Sequence, residues 1–458
     1  MSATGGMLSG IEGRFSHAVI AFLDDEGYPL SVAADFELDL ENDVVTLSDP
    51  PGAVTRPPED QEVTVTFSHI RPQPGVGYDE RRYVSLWGRL DRRGGRLILK
   101  PVRERHWDEQ EMTFFEFAER GLGQAHRYLG RLSEERGQRV RPRLSPGWLF
   151  LRATRLPFLT ATFVPVALGI AVAARHGPFR PGWALLTLLA AAFVHLGLNV
   201  ANDVFDTMSG ADGANVTPTQ FSGGSRVILY GLMSLRGMAL LSAAFYAGAV
   251  AIGLFLAVAR GFWPLFWIGA AGVAISVAYT APPLRLVHRG LGEIAVALGF
   301  GPIMVLGAFF VQAQHLSWEA LYVSLPVALL IALVLYANEI PDRPGDAAAG
   351  KRTLPVRYSQ RAIVGGYRAA TALAFALIAA GAVSSLLPVW TIVALATVPM
   401  AVRVARALDR FYDSPYELMP HLGTNVQLHL STGLLLLAGY IVAIVVGHLA
   451  PHASVWLR

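Results

Sequence analysis

Long apolar runs alternate with short polar segments through the last two thirds of the chain. From Trp148 onward, nine runs are almost free of charged residues, and each is close to the ~20 residues that a helix needs to cross a bilayer. The pattern therefore predicts nine transmembrane helices, over residues 156–174, 182–201, 237–259, 261–280, 291–313, 319–339, 364–383, 387–404 and 429–449.

The chain before Trp148 has a different pattern, in which short apolar and polar alternations are interrupted by turn residues such as Gly94 and Gly95. Such segments are typical of strands, and several in a row indicate a small barrel. We predict strands over residues 15–23, 31–36, 43–48, 62–67, 83–89 and 96–99, followed by a charged, helix-prone tail from about Arg103 to Arg136.

The two patterns together predict a multi-domain protein. A β-barrel domain with a helical tail is expected over residues 1–138, a basic linker over 139–148 and an all-α polytopic membrane bundle over 149–458. The membrane bundle makes the lipid bilayer the first expected partner of the protein.

Composition agrees with a membrane protein and excludes several kinds of site. Of 458 residues, 53% are hydrophobic and only 16% are charged, which is too apolar for an ordinary soluble chain of this length. Cysteine is absent, so disulfides, thiolate catalysis and Cys-ligated metal sites are excluded. A net charge of +3 is too small to indicate nucleic-acid binding, and we expect none.

Basic residues predict how the bundle is oriented. The loops on one side carry most of them, including Arg226, Arg285, Arg289 and Arg352, and the more basic side faces the cytoplasm. The N-terminus shows no basic segment followed by an apolar one, so we expect no signal peptide. We predict a multi-pass protein of a prokaryotic cytoplasmic (inner) membrane, with the N-terminal domain on the cytoplasmic side.

Two acidic motifs end the second and sixth apolar runs, on the side predicted to be cytoplasmic. The first contains Asn199, Asn202, Asp203, Asp206 and Asp212, and the second contains Asn338, Asp342 and Asp346. Residues three or four apart share a helix face. Carboxylates at a membrane boundary are costly unless a positive charge neutralises them, so they indicate a functional site. Their hard oxygen atoms are the ligands that Mg²⁺ prefers. Pro341 and Pro344 predict that the helix breaks in the second motif, leaving Asp342 and Asp346 on a turn.

These motifs resemble the UbiA superfamily of intramembrane prenyltransferases, and within it the 1,4-dihydroxy-2-naphthoate polyprenyltransferases of menaquinone synthesis. The resemblance rests on landmarks in a fixed order across about 310 residues. Besides the two acidic motifs, they are the segments 222–225 (Ser-Gly-Gly-Ser), 279–284 (Tyr-Thr-Ala-Pro-Pro-Leu), 290–293 (Gly-Leu-Gly-Glu), 300–302 (Phe-Gly-Pro), 311–312 (Val-Gln) and 350–354 (Gly-Lys-Arg-Thr-Leu).

The resemblance implies Mg²⁺-dependent transfer of a polyprenyl group from a polyprenyl diphosphate to an aromatic acceptor. The implied ligands of two Mg²⁺ ions are Asp203, Asp206, Asp212, Asp342 and Asp346. Tyr279 is expected to join four of these aspartates, Asp203, Asp206, Asp342 and Asp346, as a catalytic residue, by offering its ring to an allylic cation. Substrate contacts are expected from Asn199, Asn202, Arg155, Ser225, Arg226, Lys351, Arg352 and Glu293.

Other readings of the membrane domain remain open from the sequence alone. An ion-coupled transporter also carries intramembrane carboxylates, and a prenyltransferase could use a different acceptor. Tyr279 could be an interfacial anchor, and Glu293 could pair with a basic neighbour rather than touch the acceptor. His195, inside the second run, is expected to pack against a neighbouring helix.

The N-terminal domain resembles the split-barrel flavin-binding family that includes pyridoxamine 5′-phosphate oxidase. The resemblance rests on residues 25–29 (Asp-Glu-Gly-Tyr-Pro) and 83–89 (Tyr-Val-Ser-Leu-Trp-Gly-Arg). It implies that FMN is a possible cofactor, with Arg56, Ser68, His69 and Arg71 as candidate ligands. The alternative is a barrel without flavin that serves as an interaction or stability domain.

Overall fold

The structure is a computed structural model of the 458-residue chain. It describes residues 8, 10–23, 29–49, 62–73, 77–112, 130, 131, 133, 134, 137, 145–215 and 223–449. The chain divides into two compact units, Met1–Ala118 and Glu119–Arg458.

The first unit is an antiparallel β half-barrel. Its seven strands are β1 (Ala18–Leu23), β2 (Pro29–Ala34), β3 (Phe36–Asp39), β4 (Val44–Ser48), β5 (Glu62–Gln73), β6 (Gly77–Arg93) and β7 (Arg96–Asp108). They form one sheet in the order β2-β1-β5-β6-β7-β4-β3. Alternate side chains point to one face, where Ile20, Val45, Val65, Leu86 and Leu97 are fully or almost fully buried in a single core.

The end of this domain corrects one expectation. The first part of the charged segment, from Arg103 to Asp108, is not helical, because β7 continues to Asp108 and stays paired with β6 out to Arg82. Its charged side chains face outward, and the Arg103 guanidinium lies 4.4 Å from the centre of the Trp87 ring. The strand therefore extends several residues beyond the apolar alternation at 96–99 that predicted it. Residues 130, 131, 133 and 134 of the expected tail are helical, and residues 113–129, 132, 135 and 136 lie outside the described residues.

The second unit is helical. Its α-helices are α1 (Pro146–Thr154), α2 (Thr160–His176), α3 (Pro181–Ser209), α4 (Ala211–Ala214), α5 (Leu235–Arg260), α6 (Phe262–Thr280), α7 (Gly292–Leu298), α8 (Met304–Ala313), α9 (Trp318–Ala348), α10 (Leu354–Arg357), α11 (Gln360–Val383), α12 (Val398–Arg410) and α13 (Pro415–Leu449). Short 3-10 helices span Leu156–Leu159, Leu286–Arg289 and Val389–Thr397, and a π-helical turn spans Gly299–Ile303.

Within the described residues, nine helical segments are long and apolar enough to cross a membrane, which confirms the predicted number. One of them, Gly292–Ala313, is not a regular helix: it joins α7 to α8 through the π-helical turn that contains Pro302. Gly301 lies so close to α9 that an added Cβ would fall 2.4 Å from the Cβ of Ala328. The wider turn and the glycine together let this span pack directly against α9.

Helix α9 corrects a second expectation. It runs without interruption from Trp318 to Ala348, through Pro341 and Pro344, although a proline inside a helix costs about 3 kcal/mol. Packing offsets that cost: Ile340 and Pro341 are buried, and a Cβ on Gly345 would come within 2.9 Å of the Asn215 backbone. Asn338, Asp342 and Asp346 therefore lie at four-residue intervals on one helix face.

Candidate active site

The two acidic motifs meet at a polar cavity of about 190 Å³. Its lining includes four aspartates, Asp206, Asp212, Asp342 and Asp346, against two basic residues, Arg155 and Lys351. Helix α3 ends at Ser209, and Gly210 turns the chain in the left-handed conformation, so that Asp212 faces the same cavity. The excess of carboxylates makes this cavity anionic.

The first motif is held by hydrogen bonds and ion pairs on α3. The Asn202 amide donates to Asp206 at 2.9 Å, and the Lys351 ammonium lies 2.8 Å from the other oxygen of Asp206. Asp203 is almost fully buried, paired with Arg155 at 2.8 Å and bonded by the Ser225 hydroxyl and backbone N–H. Asp206 therefore faces the cavity, whereas Asp203 connects α3 to Arg155, which precedes the helix, and to Ser225, which follows it.

The second motif uses different partners. Asp342 accepts a 2.6 Å hydrogen bond from the Asn215 amide and a 3.1 Å bond from the backbone N–H of Gly223. Asp346 lies 3.6 Å from Lys351, so this one lysine is shared between the two motifs.

Electrostatics explains why the lysine stays charged. Burial alone would lower the pKa of Lys351, but the carboxylates of Asp206 and Asp346 outweigh burial and raise it. Burial raises the pKa of Asp212 above its ordinary value, and the nearby charges of Asp206 and Asp203 raise it further. An added cation would offset the part of this rise that comes from the neighbouring carboxylates.

The donor set fits Mg²⁺ that arrives with a phosphorylated ligand. Among the described residues, no group of three or more His, Cys, Asp or Glu side chains is placed to hold one metal ion. Mg²⁺, however, is commonly held by one or two carboxylates together with waters and substrate phosphates. Opposed aspartates on α3 and α9 match that mode better than a closed protein cage.

Glycines bring the loop between α4 and α5 close to the carboxylates. Gly223 and Gly224 have φ angles of +77° and +74°, a region that side chains rarely adopt. A Cβ on Gly224 would fall 2.7 Å from an oxygen of Asp212. Arg226 fixes this loop by donating from its guanidinium to the Gly223 and Asn215 carbonyls. Ser222, the first residue of the predicted Ser-Gly-Gly-Ser loop, lies outside the described residues.

An apolar cavity of about 520 Å³ adjoins the polar one. It lies among α3, α5, α6 and the π-helical turn, and its lining is nearly all aliphatic, aromatic or glycine. The two cavities share five lining residues: His195, Leu198, Tyr279, Val296 and Phe300. An anionic chamber thus adjoins an apolar one at a tyrosine ring.

The model of the family described as "UbiA prenyltransferase family" matches residues 162–420 of the chain, which is more than half of its 458 residues. The chain belongs to the UbiA prenyltransferase family. It is therefore a prenyltransferase, and the transporter alternative is not supported.

Curated relatives in the UbiA family agree with this identification. The chain is 35% identical to the 1,4-dihydroxy-2-naphthoate octaprenyltransferase of Mycobacterium tuberculosis over 222 residues, covering 48% of this chain and 73% of that protein. It is 25% identical to the Bacillus subtilis protein of the same name over 307 residues, covering 67% and 96%. It is 27% identical to the 2-carboxy-1,4-naphthoquinone phytyltransferase of Synechocystis over 294 residues, covering 64% and 92%.

Among solved structures, a UbiA homologue from Archaeoglobus fulgidus bound to GPP and Mg²⁺ is similar, at 17% identity. The match has a TM-score of 0.47 and covers 63% of this chain and 99% of that one.

The residues predicted for the UbiA site divide into two groups. Those that line the polar cavity are Arg155, Asn199, Asn202, Asp206, Asp212, Tyr279, Asp342, Asp346 and Lys351. Outside its lining are Asp203, Ser225, Arg226, Glu293 and Arg352; of these, Asp203, Ser225, Arg226 and Glu293 are buried. The substrate and metal contacts assigned to these residues stay predictions. His195 packs as expected, with Nδ1 2.8 Å from the Thr162 hydroxyl and its ring against Phe300.

Sequence reasoning missed three polar residues of the site. Asn215 and Glu339 line the cavity, and the His288 ring lies 4.0 Å from Asp206. Glu339 stands inside the second motif and could have been found, because it is one turn before Asp342 on the same helix. Asn215 and His288 lie in connecting segments, where no periodicity indicates which way a side chain points.

The flavin hypothesis for the N-terminal domain stays a prediction. His69 and Arg71 lie 3.6 Å and 3.0 Å from the carboxylate of Glu80, so both side chains face an acidic residue within the sheet. Arg56 lies outside the described residues.

Proposed function

We propose that this UbiA-family enzyme transfers a polyprenyl group from a polyprenyl diphosphate to a ring carbon of 1,4-dihydroxy-2-naphthoate, in a Mg²⁺-dependent reaction. The observation that carries the proposal is the junction of an anionic cavity with an apolar one at Tyr279. A polyprenyl diphosphate has the same two parts, a charged head and an apolar tail, joined at the carbon that reacts.

The residues of the polar cavity support binding of the head. The Asp206, Asp212, Asp342 and Asp346 carboxylates would hold Mg²⁺, which when bound neutralises the charge that develops on the departing diphosphate. Lys351 and Arg155 provide fixed positive charges in the same cavity, and buried charges of this kind stabilise a leaving anion strongly.

The residues at the junction of the two cavities support the next step, formation of an allylic cation. When the bond between the prenyl carbon and the diphosphate oxygen breaks, its electron pair goes to the diphosphate and an allylic cation remains. The Tyr279 ring offers a π-face to that cation, and the apolar side chains of Leu198, Val296 and Phe300 offer competing water no hydrogen-bond partner. The relatives named as naphthoate prenyltransferases support the choice of acceptor.

The basic residues of the loops support an active site on the cytoplasmic side of a bacterial inner membrane. Arg285, Arg289, Lys351 and Arg352 lie in loops at the same ends of the spans as the acidic motifs.

Turnover of the purified full-length protein tests the proposal. Incubation with Mg²⁺, geranylgeranyl diphosphate and either 1,4-dihydroxy-2-naphthoate or 4-hydroxybenzoate should give a prenylated product of the naphthoate, identified by mass. Asp206→Asn should abolish product formation, while Asp409→Asn, which changes an exposed carboxylate paired with Arg368, should not. Prenylation of 4-hydroxybenzoate alone would overturn the assigned acceptor. Absence of any Mg²⁺-dependent diphosphate release would contradict the reaction itself.

A further inference from the structure

Two buried glutamates lie beside Tyr279, apart from the four aspartates that line the polar cavity. Glu339 on α9 is 5% exposed and Glu293 in the first turn of α7 is 9% exposed. Their carboxyl groups interact with each other, and both act electrostatically on Tyr279. Glu339 also lines the cavity.

Neither oxygen of Glu339 accepts a hydrogen bond from any residue that the structure describes, and neither does Oε1 of Glu293. By contrast, Asp203 and Asp342 accept bonds from side chains and backbone N–H groups. A buried polar atom without a partner costs about 1–3 kcal/mol, and more when it is charged. Within the described residues, the carboxyl oxygens of Glu339 therefore have no partner apart from the neighbouring carboxyl group of Glu293, although they lie in the wall of the cavity.

Its position along α9 indicates which substrate supplies the donor. The cavity face of this helix begins with Ile331, Val334 and Leu335, continues with Asn338 and Glu339, and ends with Asp342 and Asp346. At 1.5 Å per residue, Glu339 lies about 10 Å from Asp346 along the axis, on the side of the apolar residues. A diphosphate has no donor to offer and is repelled by a carboxylate. A hydroxylated aromatic ring has both a donor and an apolar face.

We propose that the Glu339 carboxylate accepts a hydrogen bond from a ring hydroxyl of the aromatic acceptor, with Glu293 as a positioning residue that holds Glu339 in place. This inference rests on the proposed function and extends it to the acceptor site. Two facing carboxylates repel each other in a buried site, so one proton shared between them leaves one oxygen free to accept.

The hydrogen bond would activate the ring for attack. The π electrons of the ring form the new bond to the allylic carbon, the hydroxyl becomes a carbonyl, and its proton passes to Glu339. The attacked carbon then loses its own substituent, either a proton that leaves with the diphosphate or a carboxylate that leaves as CO₂. The electron pair released restores the aromatic ring, and Glu339 returns its proton to the ring oxygen. Atoms and charges balance, and no oxidant or reductant is needed.

The test uses the purified full-length protein with geranylgeranyl diphosphate, Mg²⁺ and two probes, 1,4-dihydroxy-2-naphthoate and its mono-O-methyl ethers. Glu339→Gln should lower kcat/KM for the naphthoate about 100-fold, as expected on loss of a general base. The Mg²⁺ activation profile and the affinity for prenyl diphosphate should not change. Glu417→Gln, at an exposed site in the first turn of α13, is the matched control and should leave every constant unchanged.

Methylation separates direct contact from a structural role. Blocking the hydroxyl that contacts Glu339 should strongly impair the wild-type enzyme but cause little further loss in Glu339→Gln, because the contact is already broken. In Glu293→Gln, where Glu339 is present but held less firmly, the further loss should be intermediate. Equal methylation penalties in wild type and variants would overturn the inference, as would a higher Mg²⁺ requirement with an unchanged KM for the naphthoate. A wild-type enzyme without any activity on the naphthoate would instead refute the proposed function, and the inference with it.

Discussion

The two cavities that meet at Tyr279 differ in what defines them: specific polar contacts in one and apolar volume in the other. The smaller one, of about 190 Å³, is defined by individual atoms: Lys351 reaches carboxylates of both motifs, and Asp342 has its own amide and N–H donors. The larger one, of about 520 Å³, is defined by volume and is lined by alanine, glycine and branched residues. Under the proposed function, recognition of the diphosphate head would depend on single groups, and recognition of the isoprenoid tail would depend on available space. Substitutions in the first cavity should therefore cause large losses of activity, whereas substitutions in the second should cause losses that grow with the volume they fill.

The largest effect is expected from removing the metal. With excess EDTA, prenyl transfer should fall to background, because the aspartates of the polar cavity would then repel the diphosphate they otherwise bind through Mg²⁺. Restored activity on addition of Mg²⁺ would confirm reversibility. Full activity in EDTA would show that the carboxylates act without a cation.

The next largest loss of activity is expected from Asp342, a cavity carboxylate of α9 that accepts hydrogen bonds from two donors. Asp342→Ala removes an oxygen pair that would hold Mg²⁺ and leaves the Asn215 amide without its acceptor, so kcat/KM should fall about 10³-fold. Product formation under single-turnover conditions measures it. Asp409→Asn serves again as the control, and similar losses in both variants would mean that the loss comes from instability.

The third prediction concerns Lys351, whose ammonium group is shared by the two acidic motifs. Lys351→Met should destabilise the metal-free protein by about 3–5 kcal/mol, because it leaves two buried carboxylates without their counter-charge. Thermal unfolding in detergent, with and without Mg²⁺, measures this difference. Since Mg²⁺ supplies positive charge to the same carboxylates, it should stabilise Lys351→Met more than it stabilises wild type. An equal shift in both proteins would show that Lys351 does not compete with the metal.

The smallest effect is expected in the apolar cavity. A Cβ on Gly253 would meet no atom within 4 Å, so Gly253→Leu should fill part of the cavity lining without a clash. The kcat/KM for geranylgeranyl diphosphate should fall about 10-fold relative to that for dimethylallyl diphosphate. Gly365→Leu, at a helical glycine outside the cavity with equally open space, should leave this ratio unchanged. An unchanged ratio in Gly253→Leu would place the tail elsewhere.

The same contrast explains what the sequence could predict. Nine spans follow from apolar length, and the two acidic motifs stand out because carboxylates are rare at a membrane boundary. The continuity of α9 could not be predicted, because the packing that offsets Pro341 and Pro344 comes from residues such as Asn215, far away in sequence. The burial of Asp203 against Arg155 and Ser225 is equally non-local. Periodicity assigns a residue to a helix face but does not identify what packs against that face.

The shared wall of the two cavities has a pharmacological consequence. His195, Leu198, Tyr279, Val296 and Phe300 border both chambers, so a small molecule seated there would obstruct head and tail at once. Under the proposed function, such an inhibitor would need neither a diphosphate mimic nor a long isoprenoid chain, and a compact aromatic body with a hydrogen-bond donor for Glu339 would suffice. Its inhibition should be competitive with both substrates, which distinguishes it from compounds that merely fill the tail chamber.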